Sequence, residues 1–164
     1  MPREQMHIGN AAGFSVDRMD VGGPVADSLI ASGKPAALFY ETLAERTLAI
    51  AQRERRANPE KGYTPDLAGF VGPVLKRCVE SGVPIIGNFG AANPMGAAKR
   101  LHALAKTQGI SGLRVAVVDG DDLRENIRGL QTQQWGEEKP LDLANTEILA
   151  ANVYMGSQPI ADAL

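Results

Sequence analysis

The chain has 164 residues, of which 44% are hydrophobic and 22% are charged, and its formal net charge is -2 at pH 7. This length and composition are typical of one globular domain, and the small charge excludes a strong attraction of the whole chain to nucleic acid or anionic membrane. The single cysteine, Cys78, excludes an internal disulfide and is typical of a reducing compartment. No stretch resembles a signal peptide or a membrane span. We therefore expect one cytoplasmic domain over residues 1–164, with no nucleic-acid partner and no membrane partner.

A loop of small and polar residues follows the first predicted strand, residues 5–8. The loop reads Gly9-Asn10-Ala11-Ala12-Gly13-Phe14-Ser15. Two interpretations remain open: the glycines serve a tight turn, or they let the backbone approach a polar ligand without a Cβ in the way. The spacing matches neither the dinucleotide fingerprint nor the P-loop, so the loop identifies no cofactor.

Predicted strands and helices alternate along most of the remaining chain. Apolar runs and period-two patterns predict strands at residues 36–40, 83–88, 113–118 and 150–154. Apolar residues at helical spacing predict helices at residues 24–32, 42–54, 64–80, 93–108 and 123–130. Thr42 and Glu45 match a capping box, Asn93 is a predicted N-cap, and Pro73 is expected to kink or split its helix.

This alternation predicts an α/β fold with right-handed crossovers. We expect a mostly parallel sheet of about five strands flanked by helices, in a doubly wound, Rossmann-like, three-layer sandwich. Every strand then points the same way, and the loops that follow the strands gather at one edge. In open α/β sheets this is the edge that binds ligands.

Carboxylates at that edge are candidates for acid-base catalysis or for binding a hard divalent cation. The candidate catalytic residues are Glu41, Glu45, Asp121 and Asp122. Glu45 has a structural alternative in the capping box, and Asp121 or Asp122 has one as the cap of the next helix. Glu41 and Asp119 each directly follow an apolar strand, so a purely structural role explains them less easily. The two histidines lie far apart without a zinc spacing, so no metal site is predicted from them.

Polar and small residues at the same edge are candidates for holding a small-molecule substrate. They are Gly9, Asn10, Gly13, Phe14, Ser15, Arg18, Arg46, Asn88, Asn93 and Asp119. The asparagines suit a carbonyl or hydroxyl group, although Asn93 also has its role as a helix cap. Arg46 and Arg18 compete for an anionic group.

A succession of motifs resembles the amino-terminal part of the acyclic terpene utilisation AtuA-like family. The motifs are IGNAAGFS (8–15) with DR (17–18), LAERT (43–47), GY (62–63), NFGAANP (88–94), GDD (120–122) and NVYMG (152–156). Their order and spacing extend across essentially the whole chain. By resemblance, the matching motif positions are the Asn10 to Arg18 loop, Glu45, Arg46, Asn88, Asn93, Asp121 and Asp122. Val16 and Phe89 depart from the residue types usual in the family.

The resemblance implies a role in the breakdown of citronellol- and geraniol-type compounds, on branched acyl intermediates. Our first hypothesis is a lyase or hydratase acting on a branched, unsaturated acyl substrate, with a carboxylate that shuttles the proton. The alternative is a non-catalytic binding or assembly subunit. Family members continue past Leu164, so we expect a fragment, a shortened relative or half of a split enzyme. Such a chain is expected to form a homo-oligomer or to pair with a second subunit that supplies the carboxyl-terminal motifs.

Overall fold

The computed structural model describes residues 5–14 and 17–164. The chain divides into two compact units, Met1–Val117 and Val118–Leu164. The first unit contains a parallel sheet of three strands in the spatial order β1 (His7–Ala12), β2 (Ala36–Tyr40) and β3 (Ile85–Gly87). The prediction of an α/β fold with a parallel sheet is confirmed.

Within residues 5–14 and 17–164, the first unit contains four α-helices and the second unit contains one. They are α1 (Gly22–Ala31), α2 (Glu45–Ala57), α3 (Leu67–Glu80), α4 (Pro94–Thr107) and, in the second unit, α5 (Gln158–Ala163). Two short 3-10 turns cover Met19–Val21 and Ile127–Gly129. Among the described residues, no helix combines the length and the apolar character needed to cross a membrane.

The core lies against one face of the sheet, where α1 packs on β1 and β2 and α3 packs on α1 and α4. Leu38 and Tyr40 alternate along β2 and are fully buried, together with Phe70 and Val74 of α3. Burying an apolar side chain of this size contributes about 1.5–3 kcal/mol. Burial also raises the pKa of Tyr40 to about 12, so its hydroxyl stays protonated and donates to the carbonyl oxygen of Phe70 at 3.2 Å.

The opposite face of the sheet is more open at its β1 edge. Ile8, which pairs in register with Ala37, is 70% exposed, and Asn10, which pairs with Phe39, is also exposed. The core described above occupies a single face, so the doubly wound, three-layer arrangement stays a prediction.

Gly9 lets helix α1 approach strand β1 closely. A Cβ on this residue would lie 2.4 Å from Val25 Cγ1 and 2.9 Å from Leu29 Cδ1. We therefore expect Gly9→Ala to lower the free energy of unfolding by about 1–3 kcal/mol, because overpacking forces side chains or backbone to move. Urea denaturation measures the loss. Gly13→Ala is the matched control, since a Cβ there meets no atom of the described residues within 4 Å. Equal losses in the two variants would contradict the close packing at Gly9.

Two of the predicted strands are wrong. Residues 113–117 keep the expected alternation, with Leu113, Val115 and Val117 partly buried, but they belong to no ladder of the sheet. Residues 150–154 pair locally instead: Leu123 N donates to the carbonyl of Ala151, and Val153 N to the carbonyl of Asp121. The observed sheet therefore has three strands and not about five.

Three helix predictions also need correction. The helix predicted at residues 123–130 is reduced to the 3-10 turn Ile127–Gly129. Thr42 and Glu45 form no capping box, because α2 begins at Glu45 and Thr47 Oγ1 accepts from the N–H of Ala44 at 2.7 Å. Pro73 does not split α3, which is continuous, since the core buries apolar residues on both sides of Pro73 and outweighs a cost of about 3 kcal/mol. A kink at Pro73 stays a prediction.

Candidate functional site

Glu41 and Asn88 meet at the carboxyl end of the sheet. They directly follow β2 and β3, and Asn88 Nδ2 donates to Glu41 Oε1 at 2.8 Å. The backbone N–H of Glu41 donates to the carbonyl of Ala12, the last residue of β1. The prediction that residues after neighbouring strands come together is therefore confirmed for Glu41 and Asn88.

The amide of Asn88 is held in one orientation by Thr42. The backbone N–H of Thr42 donates to Asn88 Oδ1 at 2.7 Å, and the Thr42 hydroxyl donates to the same atom at 3.2 Å. Thr42 is only 1% exposed, and its hydroxyl lies 3.4 Å from that of the buried Thr64. A buried and connected polar network of this kind rigidifies the groups that it joins.

The two oxygens of Glu41 differ in their surroundings. Oε1 accepts from Asn88 Nδ2 and from the backbone N–H of Leu43, both at 2.8 Å. In the part of the chain that the structure describes, no group donates to Oε2 and no ion pair joins Glu41 to a cation. The side chain is partly buried, so one oxygen is fixed by two N–H groups and the other has no donor among the described residues.

An aromatic cluster of Tyr40, Phe70 and Phe89 underlies this pair. Tyr40 precedes Glu41, and Phe89 follows Asn88. The ring centroids of Tyr40 and Phe89 are 5.2 Å apart, and each lies 6.0 Å from that of Phe70. The backbones that carry Glu41 and Asn88 are therefore anchored in the apolar core.

Asn93 is the cap of α4 and also holds the loop before α3. Its Oδ1 accepts from the N–H of Gly96 at 3.0 Å, as the N-cap prediction requires. Its Nδ2 donates to the carbonyls of Pro59 and Lys61 at 2.9 and 2.8 Å. Asn93 is 7% exposed, so these contacts occupy a side chain that we predicted to bind substrate.

Residues 9–12 of the predicted glycine loop belong to β1, and the residues that follow this strand make their own polar contacts. The N–H of Gly13 donates to Asp17 Oδ2 at 2.9 Å, and the N–H of Arg18 donates to Asp17 Oδ1 at 2.8 Å. These two bonds lower the pKa of Asp17. Arg18 also makes a two-point contact with the exposed Asp20, which raises the pKa of Arg18 through hydrogen bonding and charge.

The other candidate residues of this region are spread over β1 and its loop. Gly9 faces α1, Asn10 is exposed on β1, and Phe14 is 53% exposed. Ser15 lies outside the described residues. Glu45 and Arg46 are both exposed in the first turn of α2.

The acidic candidates of the second unit are held by local contacts. Asp121 Oδ2 accepts from Asn152 Nδ2 at 2.7 Å, and Asp122 makes a two-point contact with Arg124. Hydrogen bonding to Asp122 raises the pKa of Arg124. Asp119 is exposed. The described residues contain no group of three or more His, Cys, Asp or Glu side chains placed to hold a metal ion.

The sequence predicted Thr42 only as part of a capping box, and it did not indicate Thr64, Asp17 or Asn152 as site residues. The position of Thr42, next to Glu41 at a strand end, is a signal that was present in the sequence. No local signal identifies Thr64, because its contact with Thr42 joins residues that are 22 positions apart.

Comparison with known proteins relates nearly the whole chain to one protein family. Residues 6–164 match the model of a family described as acyclic terpene utilisation family protein AtuA. Searches of curated proteins and of solved structures gave no significant match. The match includes both compact units and all of the motifs from Ile8 onward, and it links the chain to acyclic terpene utilisation. The chain therefore belongs to the acyclic terpene utilisation AtuA family.

Proposed function

We propose that this chain is an enzyme, or a subunit of one, that carries out lyase or hydratase chemistry on a branched, unsaturated acyl substrate. The observation that carries the proposal is the Glu41 carboxylate, held through Oε1 at the carboxyl end of the sheet with Oε2 left without a donor among the described residues. A positioned carboxylate of this kind acts as a general acid or base. Family membership supports an acyclic terpene-derived substrate.

In the hydratase direction, water adds across the carbon-carbon double bond of the acyl group. Glu41 takes a proton from the water while the water oxygen bonds to one carbon of the double bond. Glu41 then returns a proton to the other carbon. The reverse order of events removes water. In both directions a single carboxyl group both accepts and returns a proton, so the step requires neither an oxidant nor a reductant.

The test is turnover of a geranyl-type 3-methyl-2-enoyl thioester, followed by the loss of ultraviolet absorbance of the conjugated double bond. We expect Glu41→Gln to lower kcat by about a hundredfold or more, because a positioned acid or base contributes roughly 10²- to 10⁴-fold. Glu60→Gln, at an exposed loop position, is the matched control and should leave the rate unchanged.

The other proposed carboxylates are assessed in the same assay with Glu45→Gln, Asp121→Asn and Asp122→Asn. A large loss in one of these variants, with Glu41→Gln as active as the wild type, would assign the proton transfer elsewhere. An unchanged rate in all four would rule out catalysis by the proposed carboxylates.

The second candidate function, a binding or assembly subunit, is favoured by large apolar side chains that are exposed on the chain. Trp135 is 100% exposed, Tyr154 96% and Ile8 70%. Exposed apolar groups are typical of surfaces that contact other proteins when they form a patch. A chain that binds a second subunit tightly and shows no reaction with the acyl thioester would support this function over the enzymatic one.

A further inference from the structure

We propose that Asn88 is a positioning residue that assigns the exchangeable proton of Glu41 to Oε2. The inference rests on the acid-base role proposed for Glu41 and extends it from the residue to the atom. It also gives Asn88 a function different from the substrate contact expected from the sequence.

The orientation of the Asn88 amide follows from the backbone of Thr42. A backbone N–H only donates, so the Asn88 atom 2.7 Å from Thr42 N has to be the oxygen. The Thr42 hydroxyl donates to the same oxygen. The amide nitrogen then faces Glu41 and has only hydrogens to offer.

The fixed amide determines the hydrogen bonding of Glu41. Oε1 receives two N–H donors, from Asn88 and from Leu43, each at 2.8 Å. A proton on Oε1 would point at a donor hydrogen, which is repulsive, whereas both donors remain satisfied when the proton is on Oε2. A molecule that exchanges a proton with Glu41 therefore has to approach Oε2.

Because the threonines of this network are buried, the orientation of the Asn88 amide is fixed. Thr42 and Thr64 are buried, and the main chain of Thr64 is bonded to the carbonyl of Phe89, next to Asn88. Both polar atoms of Asn88 already have protein partners. Removing the amide is therefore expected to misplace the carboxylate more than to weaken substrate binding.

The first experiment tests the contact without using activity. Asn88→Asp keeps the acceptor for Thr42 but places a carboxylate oxygen against Glu41 Oε1, so we expect its urea midpoint at pH 7 to fall below that of the wild type. Adding Glu41→Gln removes the repulsion between the two negative charges and should recover part of the loss, although its amide can satisfy only one of the Leu43 N–H and the introduced aspartate. Asn58→Asp is the control, because Asn58 Oδ1 only accepts, from Glu60 N, and an aspartate fits there equally well.

Two stability results would overturn the proposal: an unchanged midpoint in Asn88→Asp, or no recovery in the double variant. If Asn88→Asp does not fold, folding of the double variant is the expected rescue, and its failure would also contradict the contact. The kinetic arm uses Asn88→Ala on the same thioester. We expect kcat to fall by about a hundredfold while KM changes little.

A raised KM with unchanged kcat would show that Asn88 binds substrate and would overturn the positioning role. No turnover by the wild type would overturn the proposed function, and with it the catalytic consequence of the Asn88 contact. The stability arm separates these cases, because recovery in the double variant reports on the Asn88–Glu41 contact whether or not the thioester reacts.

Discussion

Replacing Phe70 by alanine is expected to lower the free energy of unfolding by about 3–5 kcal/mol, the usual cost of truncating a buried aromatic side chain. Phe70 is 2% exposed and packs against the rings of both Tyr40 and Phe89. Aromatic pairs contribute about 0.5–1.5 kcal/mol beyond the area they bury. Because a typical domain is stable by only about 5–15 kcal/mol, the first unit of Phe70→Ala should be close to unfolding at moderate temperature.

Urea denaturation followed by far-ultraviolet circular dichroism is the suitable measurement. Tryptophan fluorescence is a poor reporter, since Trp135 is fully exposed. Phe14→Ala provides the matched control, because Phe14 is 53% exposed and surface substitutions usually change stability by less than about 0.5 kcal/mol. A loss below about 1 kcal/mol in Phe70→Ala would mean that the aromatic cluster is not packed as described.

The aromatic cluster also connects stability to the candidate site. Tyr40 and Phe89 are the chain neighbours of Glu41 and Asn88, so the packing of their rings determines how close the two strand ends lie. The Glu41–Asn88 contact therefore depends on this packing and on the pairing of β2 with β3, besides its own hydrogen bond. A shift of about 1 Å at a catalytic group is enough to cost roughly a hundredfold in rate, which makes the core beneath the site part of its geometry.

Residues 36–40 show which part of the fold is predictable from sequence. Their continuous apolar run predicted a strand buried in a parallel sheet, and β2 covers Ala36–Tyr40 in the centre of the sheet. A central strand is buried on both sides, so its own residues carry the signal. The helices α1 to α4 were also predicted near their observed positions, and α1, α3 and α4 each contribute apolar residues to the core.

Residues 113–118 show why about two strands were predicted in excess. Alternation of Leu113, Val115 and Val117 reports that one side of an extended segment is buried, and that part is correct. It does not report whether a neighbouring strand is available to form the ladder. Residues 150–154 pair in antiparallel orientation with Asp121 to Leu123 of the same unit. No pattern within either segment identifies that pairing.

The candidate site was predictable in outline and not in its hydrogen bonds. The parallel-sheet rule placed Glu41 and Asn88 at one edge, and the structure brings them into contact. The capping-box assignment of Thr42 failed because its hydroxyl bonds to Asn88, a residue 46 positions away. A threonine three residues before a glutamate has the same local sequence whether it forms a capping box or bonds to a distant residue. Only the tertiary structure distinguishes these two roles.

Asn93 provides the second large expected effect. We expect Asn93→Asp to lower the free energy of unfolding by about 2–4 kcal/mol at pH 7, although aspartate and asparagine are equally good N-caps. The introduced carboxylate would still accept from Gly96 N, but its other oxygen would face the carbonyls of Pro59 and Lys61. Three acceptors would then meet in a buried position where an N–H group now donates to two carbonyls.

The pH dependence of Asn93→Asp separates this mechanism from simple loss of packing. Burial beside two carbonyl oxygens disfavours the charged form and raises the pKa of the introduced carboxyl in the folded protein. The loss of stability is therefore largest at neutral pH and shrinks as the pH falls through that raised pKa, where the protonated group donates to one carbonyl. Urea denaturation of Asn93→Asp and wild type between pH 7 and pH 4 measures the difference, with Asn58→Asp as the exposed control. A stability within about 0.5 kcal/mol of the wild type at pH 7 would show that Asn93 acts only as a helix cap. A large loss that does not change with pH would assign the effect to packing and not to the two carbonyl contacts.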